Sequence, residues 1–473
     1  MKHFFTFLIA FAAAASLAHA QTFSDDFESY APGAFIAQSS TTWATWSGAN
    51  GGGLDDATVS NANAHSGTNS LKLASTAVGG GPDDIVLPFG QVYSTGTFTF
   101  NTWMFVDSGK NAYMNYQAST TVGQIWSMDV NFEANGELKF SNGGVLLLSV
   151  PYTQGAWFEF TMTSNLNNST WAVLIDGVSV GTFQNPVFNI ASINFYPIQN
   201  SSYYIDDVSF DHIPYTAPAL NAAVMNLNVE NGLASQTRQP TVDVRNLGTT
   251  AITSFDLAID YNGVQTTQSF TGVNYAPGSV NTVTLSQAIT LAGGSLPTTV
   301  TISNVNGNAT DDDSSDDEAF ANVTAVMPAP GKTVVAEEAT GTWCSWCPRG
   351  AVYMDWMAGK YPGFFAGIAV HNADPMAHAA YDAGIAPFIA GYPSALVDRL
   401  PEIDPSEIEQ DFLERIVVAP KVFLTNGALY NSATRELKVS VKANWQEAVN
   451  GSDYKLAIVL TENDVTGTGS GWS

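Results

Sequence analysis

The sequence predicts a multidomain, mostly β protein that also contains one α/β region. Its 473 residues correspond to about three domains of ordinary size. Apolar residues make up 45% of the chain, enough for folded cores, while charged residues make up only 12%. Short alternating apolar runs, separated by Gly, Asn, Asp and Ser turns, fill most of the length, and this pattern is typical of strands.

The charge balance excludes one class of partner. The formal net charge is −27, from 43 acidic and 16 basic residues, so the chain repels phosphate and we expect no nucleic-acid binding. The two cysteines are too few for a multi-bridge disulfide scaffold. After residue 20 no apolar run reaches the length of a membrane-spanning helix, so no transmembrane segment is predicted in the mature chain.

Residues 1–20 have the pattern of a secretory signal peptide. Lys2 provides a positive start, an apolar run follows, and Ala18-His19-Ala20 supplies the small residues of a cleavage site. A transmembrane anchor is the weaker alternative because the apolar run is too short to span a bilayer. The mature chain is therefore expected to be secreted.

Residues 21–213 are predicted to form a two-sheet jelly roll. Alternating runs such as 97–105 are separated by hairpin turns such as Asn142-Gly143 and Asp176-Gly177. The opening segment Phe23–Glu28 and the closing segment Tyr204–Phe210 resemble the ends of concanavalin-like and carbohydrate-binding jelly rolls. That resemblance implies a glycan or cell-surface ligand for this region.

Two carboxylates of the jelly roll are candidate ligands of a structural Ca²⁺ ion. Asp206 shares one strand face with apolar neighbours, and a carboxylate in such surroundings needs a partner. The resemblance points to Glu28 as its co-ligand. A hydrogen-bonded strand end, without a metal, is the alternative for Asp206.

The jelly roll is also rich in tryptophan. An exposed Trp could stack on a sugar ring, whereas a buried one would pack in the core, and core packing is the favoured interpretation. The six Trp residues of this region are Trp43, Trp46, Trp103, Trp126, Trp157 and Trp171.

Residues 217–327 are predicted to form an immunoglobulin-like β-sandwich that acts as a spacer. The region has strand-like runs and no cysteine over roughly 110 residues, and it resembles bacterial adhesion-type modules. Its acidic run, Asp311–Glu318, lacks the spaced ligand order of an EF-hand. A solvated hairpin loop is therefore favoured over a calcium site.

Residues 331–420 depart from the β pattern and carry both cysteines. A strand over 333–338 leads into a turn with Cys344 and Cys347. A helical pattern that includes Val352 and Met357 follows, Pro362-Gly363 is expected to end it, and a second strand covers 364–370. This order resembles the first half of the thioredoxin fold. A helix N-terminus stabilises a thiolate, which predicts Cys344 as the nucleophile and Cys347 as the resolving thiol. Farther on, Asp404 followed by Pro405 predicts the N-cap of a helix that runs to about Val418.

The resemblance to thioredoxin-like proteins implies roles for further residues. Glu338, six residues before Cys344, matches the buried carboxylate that accepts the proton of the resolving thiol. Pro393 matches the cis-proline that faces the cysteines and presents backbone to a substrate peptide. The predicted substrate-contacting side chains are aromatic: Trp343, Trp346 and Tyr392.

A closer resemblance is to the family named for outer membrane protein twenty-eight, secreted thioredoxin-like proteins of Gram-negative bacteria. It is carried by Glu338–Gly350, Val370–Met376 and Gly391–Arg399, and covers about 331–473. It implies a thiol–disulfide oxidoreductase that acts on protein thiols or disulfides and needs no cofactor for the redox chemistry. The expected location is the outer membrane surface or the extracellular space, reached through the periplasm.

The sequence allows two roles for several residues near the cysteines. His371 and Asp374 form either a strand-end hydrogen bond or part of the catalytic apparatus. Arg349 either lowers the pKa of Cys344 or solvates the helix. The cysteine pair itself could be a structural bridge, although so small a loop adds little stability.

The alternative function is a non-catalytic surface adhesin or carbohydrate-binding protein with a thioredoxin-like scaffold. The last region, residues 421–473, is expected to begin a further β-sandwich. Leu437–Val441 and Tyr454–Leu460 have the pattern of strands, and a sandwich needs about seven, so the protein is expected to continue.

Overall fold

A computed structural model describes residues 21–48, 51–448, 454–463 and 465–468. The predicted signal peptide, residues 1–20, lies outside the described residues. The described chain is mostly β, as predicted, with 30 strands and four α-helices. No helix in these ranges combines the length and the apolar character needed to cross a membrane.

The chain forms two compact units. The first contains the described residues up to Val229, together with Gln239–Gln287 and Pro297–Ala321. The second contains Glu230–Arg238, Ala288–Leu296 and the described residues from Asn322 onward. The domain boundaries drawn from the sequence stay predictions.

The first region, up to residue 213, consists of short helix α1 (Ile36–Ser39) and fifteen strands. The strands are β1 (Gln21–Asp25), β2 (Ala44–Thr45), β3 (Val59–Ser60), β4 (Ser70–Ser75), β5 (Ile85–Tyr93), β6 (Thr97–Val106), β7 (Ala112–Gln117), β8 (Trp126–Phe132), β9 (Glu137–Asn142), β10 (Val145–Pro151), β11 (Trp157–Asn165), β12 (Thr170–Ile175), β13 (Val178–Gln184), β14 (Ile190–Phe195) and β15 (Ser201–Ile213).

These strands form two sheets that share one core. One sheet has the order β13-β12-β11-β6-β15-β4-β3, with β1 added to β15, and the other has the order β10-β9-β8-β7-β14-β5-β2. In β6 and β11 every second residue is buried, as expected for a sheet with one face covered. The buried side chains of both sheets form a single aromatic-rich cluster, so the region is a β-sandwich.

The hairpin turns follow the sequence signals. Asp176 and Gly177 join β12 to β13 and have φ angles of 51° and 73°, values that the left-handed region allows best for Asn, Asp and Gly. Between β9 and β10 the turn is Gly143-Gly144, one residue later than the predicted Asn142-Gly143, because Asn142 ends β9 and pairs with Val145. Local turn signals therefore located the β12–β13 turn correctly and the β9–β10 turn to within one residue.

The middle of the chain also folds as strands. They are β16 (Ala222–Asn228), β17 (Gly232–Leu233), β18 (Thr237–Arg238), β19 (Thr241–Asn246), β20 (Ile252–Tyr261), β21 (Val264–Tyr275), β22 (Val280–Thr284), β23 (Ile289–Thr290), β24 (Gly294–Ser303) and β25 (Glu318–Val326). In the first unit, one sheet has the order β16-β19-β22, and β20 pairs with both β21 and β24.

The second unit contains a small α/β layer. Its strands are β26 (Val334–Thr340), β27 (Phe365–His371) and β28 (Ser394–Val397), and its helices are α2 (Pro348–Lys360), α3 (Ala379–Ile385) and α4 (Ile408–Ile416). Central strand β26 pairs in parallel with β27 and antiparallel with β28. Apolar side chains of all three strands, α2 and α4 form one buried cluster.

The helix signals of this region were largely correct. Asp404 accepts a hydrogen bond from the Ser406 N–H at 3.0 Å, so the N-cap prediction is confirmed, and a single 3₁₀ turn precedes α4. Helix α2 ends just before Pro362-Gly363, as expected. Of its predicted apolar positions, Met357 is buried, but Val352 is 65% exposed.

The last described strands form an isolated hairpin. Strands β29 (Val422–Asn431) and β30 (Glu436–Trp445) pair over their full length, and most of their residues are exposed. The prediction of a strand at Leu437–Val441 is confirmed. The prediction at Tyr454–Leu460 is wrong, since no described strand pairs with this segment and an alternating pattern alone does not make a ladder.

Candidate functional site

Both cysteines lie in the tight turn that joins β26 to α2. The Cys344 N–H donates to the Gly341 carbonyl at 3.0 Å, and the Cys347 N–H donates to the Cys344 carbonyl at 3.2 Å. The two side chains form a disulfide, with Cys344 8% and Cys347 4% exposed. Cys347 directly precedes Pro348, the first residue of α2, so the pair lies at the positive end of the helix. Their roles as nucleophile and resolving thiol stay predictions.

Glu338 is buried beside the first turn of this helix. Its side chain is 2% exposed, and burial raises its pKa to about 7, against a smaller opposing effect of a hydrogen bond with Thr340. A Cβ atom at Gly350 would lie 2.0 Å from Glu338 Oε1. Among the described residues, no donor reaches that oxygen. The carboxylate therefore meets the helix one turn after Cys347.

The neighbouring carboxylate, Glu337, has an entirely different environment. It points to the opposite face of β26, where the Arg399 guanidinium forms an ion pair with it. The Tyr381 hydroxyl donates to its Oε1 at 2.6 Å. Burial, followed by this contact with Glu337, raises the pKa of Tyr381 above its usual range. Of the two adjacent glutamates, only Glu338 lacks a cationic partner within the described chain.

The loop before β28 contains a cis peptide bond between Tyr392 and Pro393, as the sequence predicted. Glu402 holds this loop, since both its carboxylate oxygens accept from the Ala390 N–H at 2.9 Å and it also bonds the Ser394 hydroxyl. Sequence reasoning missed Glu402, because nothing local marks a contact across eight to twelve residues of irregular chain. The role of Pro393 toward a substrate stays a prediction.

Two tryptophans, Trp343 and Trp346, directly precede the two cysteines in the turn. Trp343 is 49% exposed and Trp346 is 72% exposed. The Trp343 ring packs edge-on against Tyr392, with centroids 5.3 Å apart, and its indole N–H donates to the Asn372 carbonyl at 2.7 Å. Trp343 thus connects the cysteine turn to the cis-proline loop, whereas most of the Trp346 side chain is exposed to solvent. Their substrate contacts stay predictions.

Asp374 organises the turn that leads to Cys344. Its Oδ2 accepts from the Thr342 N–H at 2.8 Å and is 2.6 Å from His371 Nδ1, and its Oδ1 accepts from the Met376 N–H. Burial would raise the pKa of Asp374, but these hydrogen bonds outweigh it and leave the pKa lowered. The strand-end hydrogen bond left open by the sequence is therefore present, and it reaches the cysteine turn.

Arg349 forms an ion pair with a carboxylate, and its effect on Cys344 stays a prediction. Its guanidinium forms an ion pair with the Asp404 carboxylate, the N-cap of the turn before α4. The two side chains are 48% and 37% exposed, so solvent screens the pair and it adds little stability. This contact ties the start of α2 to the segment that precedes α4.

The two predicted calcium ligands, Glu28 and Asp206, accept hydrogen bonds from one loop of the first β-sandwich, residues 65–69. Asp206 Oδ2 accepts from the N–H groups of His65 and Ser66 at 2.8 and 3.1 Å. Glu28 Oε1 accepts from the N–H groups of Thr68 and Asn69 at 2.8 and 2.6 Å. These contacts lower the pKa of Glu28, whereas burial raises that of Asp206 to about 6 despite them.

The hydrogen bonds of Glu28 and Asp206 match the metal-free alternative. Within the described ranges, no group of three or more His, Cys, Asp or Glu side chains is arranged to hold a metal ion. The donors to these carboxylates are backbone N–H groups and, at Glu28, also the Thr68 hydroxyl, and they compete with a cation for the same oxygens. Calcium at Glu28 and Asp206 stays a prediction.

The jelly-roll tryptophans divide between core and surface. Trp43 and Trp171 are 3% and 0% exposed and belong to the core, as favoured by the sequence. Trp103 stacks on His65 with centroids 3.6 Å apart. Trp126 is 40% exposed and lies 5.4 Å, between centroids, from Trp46.

Trp126 borders a polar face of the seven-stranded sheet. It pairs across strands with Gln117, whose amide N–H donates to Asn115 Oδ1 at 2.6 Å. Nearby, the Tyr113 hydroxyl donates to Asp129 Oδ1 at 2.5 Å. Tyr113, Asn115 and Gln117 are alternate residues of β7 and share a face, and a register shift in the β7–β8 pairing brings Trp126 opposite Gln117 on that face.

Comparisons with known proteins yield structural similarity only. No family model and no curated protein sequence matches the chain. The galectin LEC-6 of Caenorhabditis elegans is similar over 29% of this chain and 94% of its own, with 13% identity and a TM-score of 0.21. The carbohydrate-binding module CBM66 of Bacillus subtilis covers 36% and 95%, with 12% identity and a TM-score of 0.25.

A third similar structure is the CARDB domain of the PF1109 protein of Pyrococcus furiosus, solved with di-metal ions. It covers 24% of this chain and 95% of its own, with 16% identity and a TM-score of 0.20. One of the three proteins is thus a galectin and one a carbohydrate-binding module, and none of them is a thiol–disulfide oxidoreductase. At these TM-scores the likenesses carry no conclusion about function.

Proposed function

We propose that the chain is a secreted thiol–disulfide oxidoreductase that acts through Cys344 and Cys347. One observation carries the proposal. The cysteine pair lies at the start of α2, and the first turn of the same helix contacts Glu338 at Gly350; Glu338 is a buried carboxylate with a raised pKa and one oxygen without a described donor. Perturbed carboxylates next to a reactive pair are typical of sites that transfer protons at neutral pH.

The arrangement of the second unit supports a thioredoxin-like assignment. Parallel strands β26 and β27 are joined through α2, and antiparallel β28 follows the cis bond at Pro393. Trp343 links the cysteine turn to that loop. An extended substrate would then lie between Trp346 and Tyr392.

The reaction is a two-step exchange between the protein and a substrate disulfide. The Cys344 thiolate attacks one substrate sulfur, an S–S bond forms between protein and substrate, and the other substrate sulfur leaves as a thiolate. Cys347 then loses its proton to Glu338 and attacks Cys344, which closes the protein disulfide and releases the reduced substrate. Run in reverse, the protein disulfide oxidises a substrate dithiol, and no cofactor is required.

The test is turnover of a model disulfide by the reduced full chain, with measurement of the Cys344–Cys347 reduction potential. Cys344→Ser should abolish turnover, and Cys347→Ser should accumulate a mixed disulfide at Cys344. Alkylation at neutral pH should label Cys344 before Cys347. Equal turnover by the wild type and Cys344→Ser would overturn the proposal.

A second candidate function, glycan binding by the jelly roll, is favoured by the sheet face at Trp126. An exposed indole supplies a stacking surface, and the Tyr113–Asp129 pair supplies oriented hydrogen-bonding groups. The test is retention of the full chain on a panel of insoluble polysaccharides. Trp126→Ala should abolish retention, whereas Ile125→Ala, at a neighbouring 52% exposed position, should not. Retention unchanged by Trp126→Ala would exclude this face.

A further inference from the structure

The acidic run Asp311–Glu318 is folded against the start of β16, although its sequence favours a solvated loop. Asp311 Oδ2 accepts from the Ala222 N–H at 2.7 Å, and Asp312 Oδ2 accepts from the Leu220 N–H at 2.9 Å. The run packs against the chain, and is not a solvated loop, because its carboxylates accept hydrogen bonds from N–H groups that have no partner at the beginning of the strand. The run is therefore part of the first unit's structure.

Asp316 is the most deeply buried carboxylate of this run. It is 0% exposed, and its Oδ2 accepts from the Asn221 side-chain amide at 3.1 Å. Within the described chain no donor reaches Asp316 Oδ1, and the same holds for the buried Oδ1 atoms of Asn221 and Asp317. Three acceptor oxygens without donors thus occur on two adjacent carboxylates and the amide that contacts one of them.

No basic side chain compensates these carboxylates directly. Among the described residues, no Lys, Arg or His nitrogen forms an ion pair with Asp316 or Asp317. Buried Arg245 interacts with Asp316 only at longer range, because it donates to the Ser94 and Leu166 carbonyls. An unpaired buried carboxylate is costly, and two adjacent ones are more so.

We propose that Asp316, Asp317 and Asn221 bind a Ca²⁺ ion. Carboxylate and amide oxygens are the ligands that Ca²⁺ prefers, and a cation would satisfy acceptors that no protein donor reaches. Burial, reinforced by neighbouring carboxylates, raises the pKa of both aspartates to about 7, as expected for like charges without a counter-ion.

The affinity of this site should be low. No three His, Cys, Asp or Glu side chains of the described residues are grouped to hold a metal, so at most two charged ligands contribute. Main-chain carbonyls and water would complete the shell. A small ligand charge corresponds to a dissociation constant of about 10⁻⁴–10⁻³ M, the range of extracellular calcium modules.

The bound ion would hold the linker that follows the jelly roll. Asn221 lies just before β16, and its amide also donates to the hydroxyl of Tyr215, in the linker, at 2.7 Å. A cation on Asn221 and Asp316 would therefore fix three segments of the first unit together. By contrast, the oxygens of Glu28 and Asp206 already accept hydrogen bonds from backbone N–H groups.

The test is thermal unfolding of the full chain in a chelator and then in about 10 mM Ca²⁺, with equal Mg²⁺ as the divalent control. Ca²⁺ should raise a melting temperature by several degrees in the wild type. Asp316→Asn should abolish that rise. Glu318→Gln, an exposed carboxylate of the same run, should preserve it.

Three outcomes would overturn the proposal. The first is no calcium-specific rise in the wild type, accompanied by stabilisation on acidification, which would mean that protons alone neutralise the carboxylates. The second is a rise that survives Asp316→Asn. The third is a rise lost in Glu28→Gln but kept in Asp316→Asn, which would assign the ion to the jelly-roll loop. If Asp316→Asn fails to fold, Asp317→Asn and equilibrium dialysis of Ca²⁺ against the wild type decide the question.

Discussion

The carboxylate of Glu338 fills the space that a side chain at position 350 would need. Glu338 Oε1 lies 2.0 Å from the Cβ position of Gly350, closer than any real carbon contact allows. The glycine is therefore required by packing, since its φ angle is an ordinary helical one. Through it, β26 brings a buried acid against the first turn of α2.

Gly350→Ala should destabilise the chain, although alanine is the better helix former. The added methyl must displace the Glu338 carboxylate, and overpacking of this kind costs about 1–3 kcal/mol. Gly359→Ala in the same helix meets nothing within 4 Å and should stabilise it by about 0.5–1 kcal/mol. Denaturant unfolding of both variants checks the pair, and a stabilising effect of Gly350→Ala would refute the packing argument.

Glu338→Gln should slow the release of a mixed disulfide by about 10²-fold or more, the usual effect of losing a general base. Capture of the substrate by Cys344 should change little, because the glutamine keeps the shape of the side chain. The measurement is the decay of a trapped intermediate with a model disulfide.

Glu337→Gln is the matched control for that experiment. It removes the charge that pairs with Arg399 on the opposite face of the strand, so it should lower stability without altering the decay. Equal decay in the wild type and Glu338→Gln would remove Glu338 from the mechanism.

Stability should fall as the pH rises through the titration of Glu338. The folded-state pKa is about 7 and the ordinary value is 4.5, so between these values the folded chain keeps a proton that the unfolded chain has lost. The stabilising contribution is complete below pH 4.5 and is lost as the pH passes 7, up to about 3 kcal/mol. Unfolding midpoints at about pH 5, 6 and 8 should show a weaker pH dependence in Glu338→Gln. Parallel profiles for the two proteins would show that the carboxyl titrates normally.

Asp374→Asn should loosen the turn before Cys344. The variant loses one carboxylate oxygen of the set that binds Thr342 and Met376, and hydrogen bonds to a charged group contribute about 1.5–3 kcal/mol. Hydrogen exchange of the Thr342 amide should therefore accelerate. Asp382→Asn, which contacts only the Asn372 side chain in this loop, serves as the control and should leave that amide protected.

The features that the sequence predicted correctly are those encoded within a few residues. The Asp404 cap, the Asp176-Gly177 turn and the strand before the cysteines depend on local backbone geometry. The failures involve partners far along the chain. Tyr454–Leu460 alternates like a strand but has no described partner strand, and Glu402 and Asp316 acquire their contacts only when distant segments meet.

The roles of Glu28 and Asp206 show the same limit. The sequence identified Asp206 as a carboxylate that needs a partner, and the resemblance added Glu28 as its co-ligand. The partners found are mainly backbone N–H groups of residues 65–69. The sequence shows that a carboxylate needs a hydrogen-bond donor or a cation, but it does not show which group supplies it. The partner depends on which loop packs against the carboxylate in the folded chain.

The two adjacent glutamates of β26 also bear on how faithfully the chain folds. Glu337 and Glu338 are chemically identical, yet Glu337 pairs with Arg399 whereas Glu338 is buried against Gly350. A shift of one residue in the pairing of β26 would exchange the two faces, placing one carboxylate away from its cation and the other away from its pocket. A sheet with a shifted register would lose the Glu337–Arg399 ion pair and also displace Glu338 from its buried position. The adjacent glutamates therefore favour the native register of β26 over registers shifted by one residue while the sheet forms.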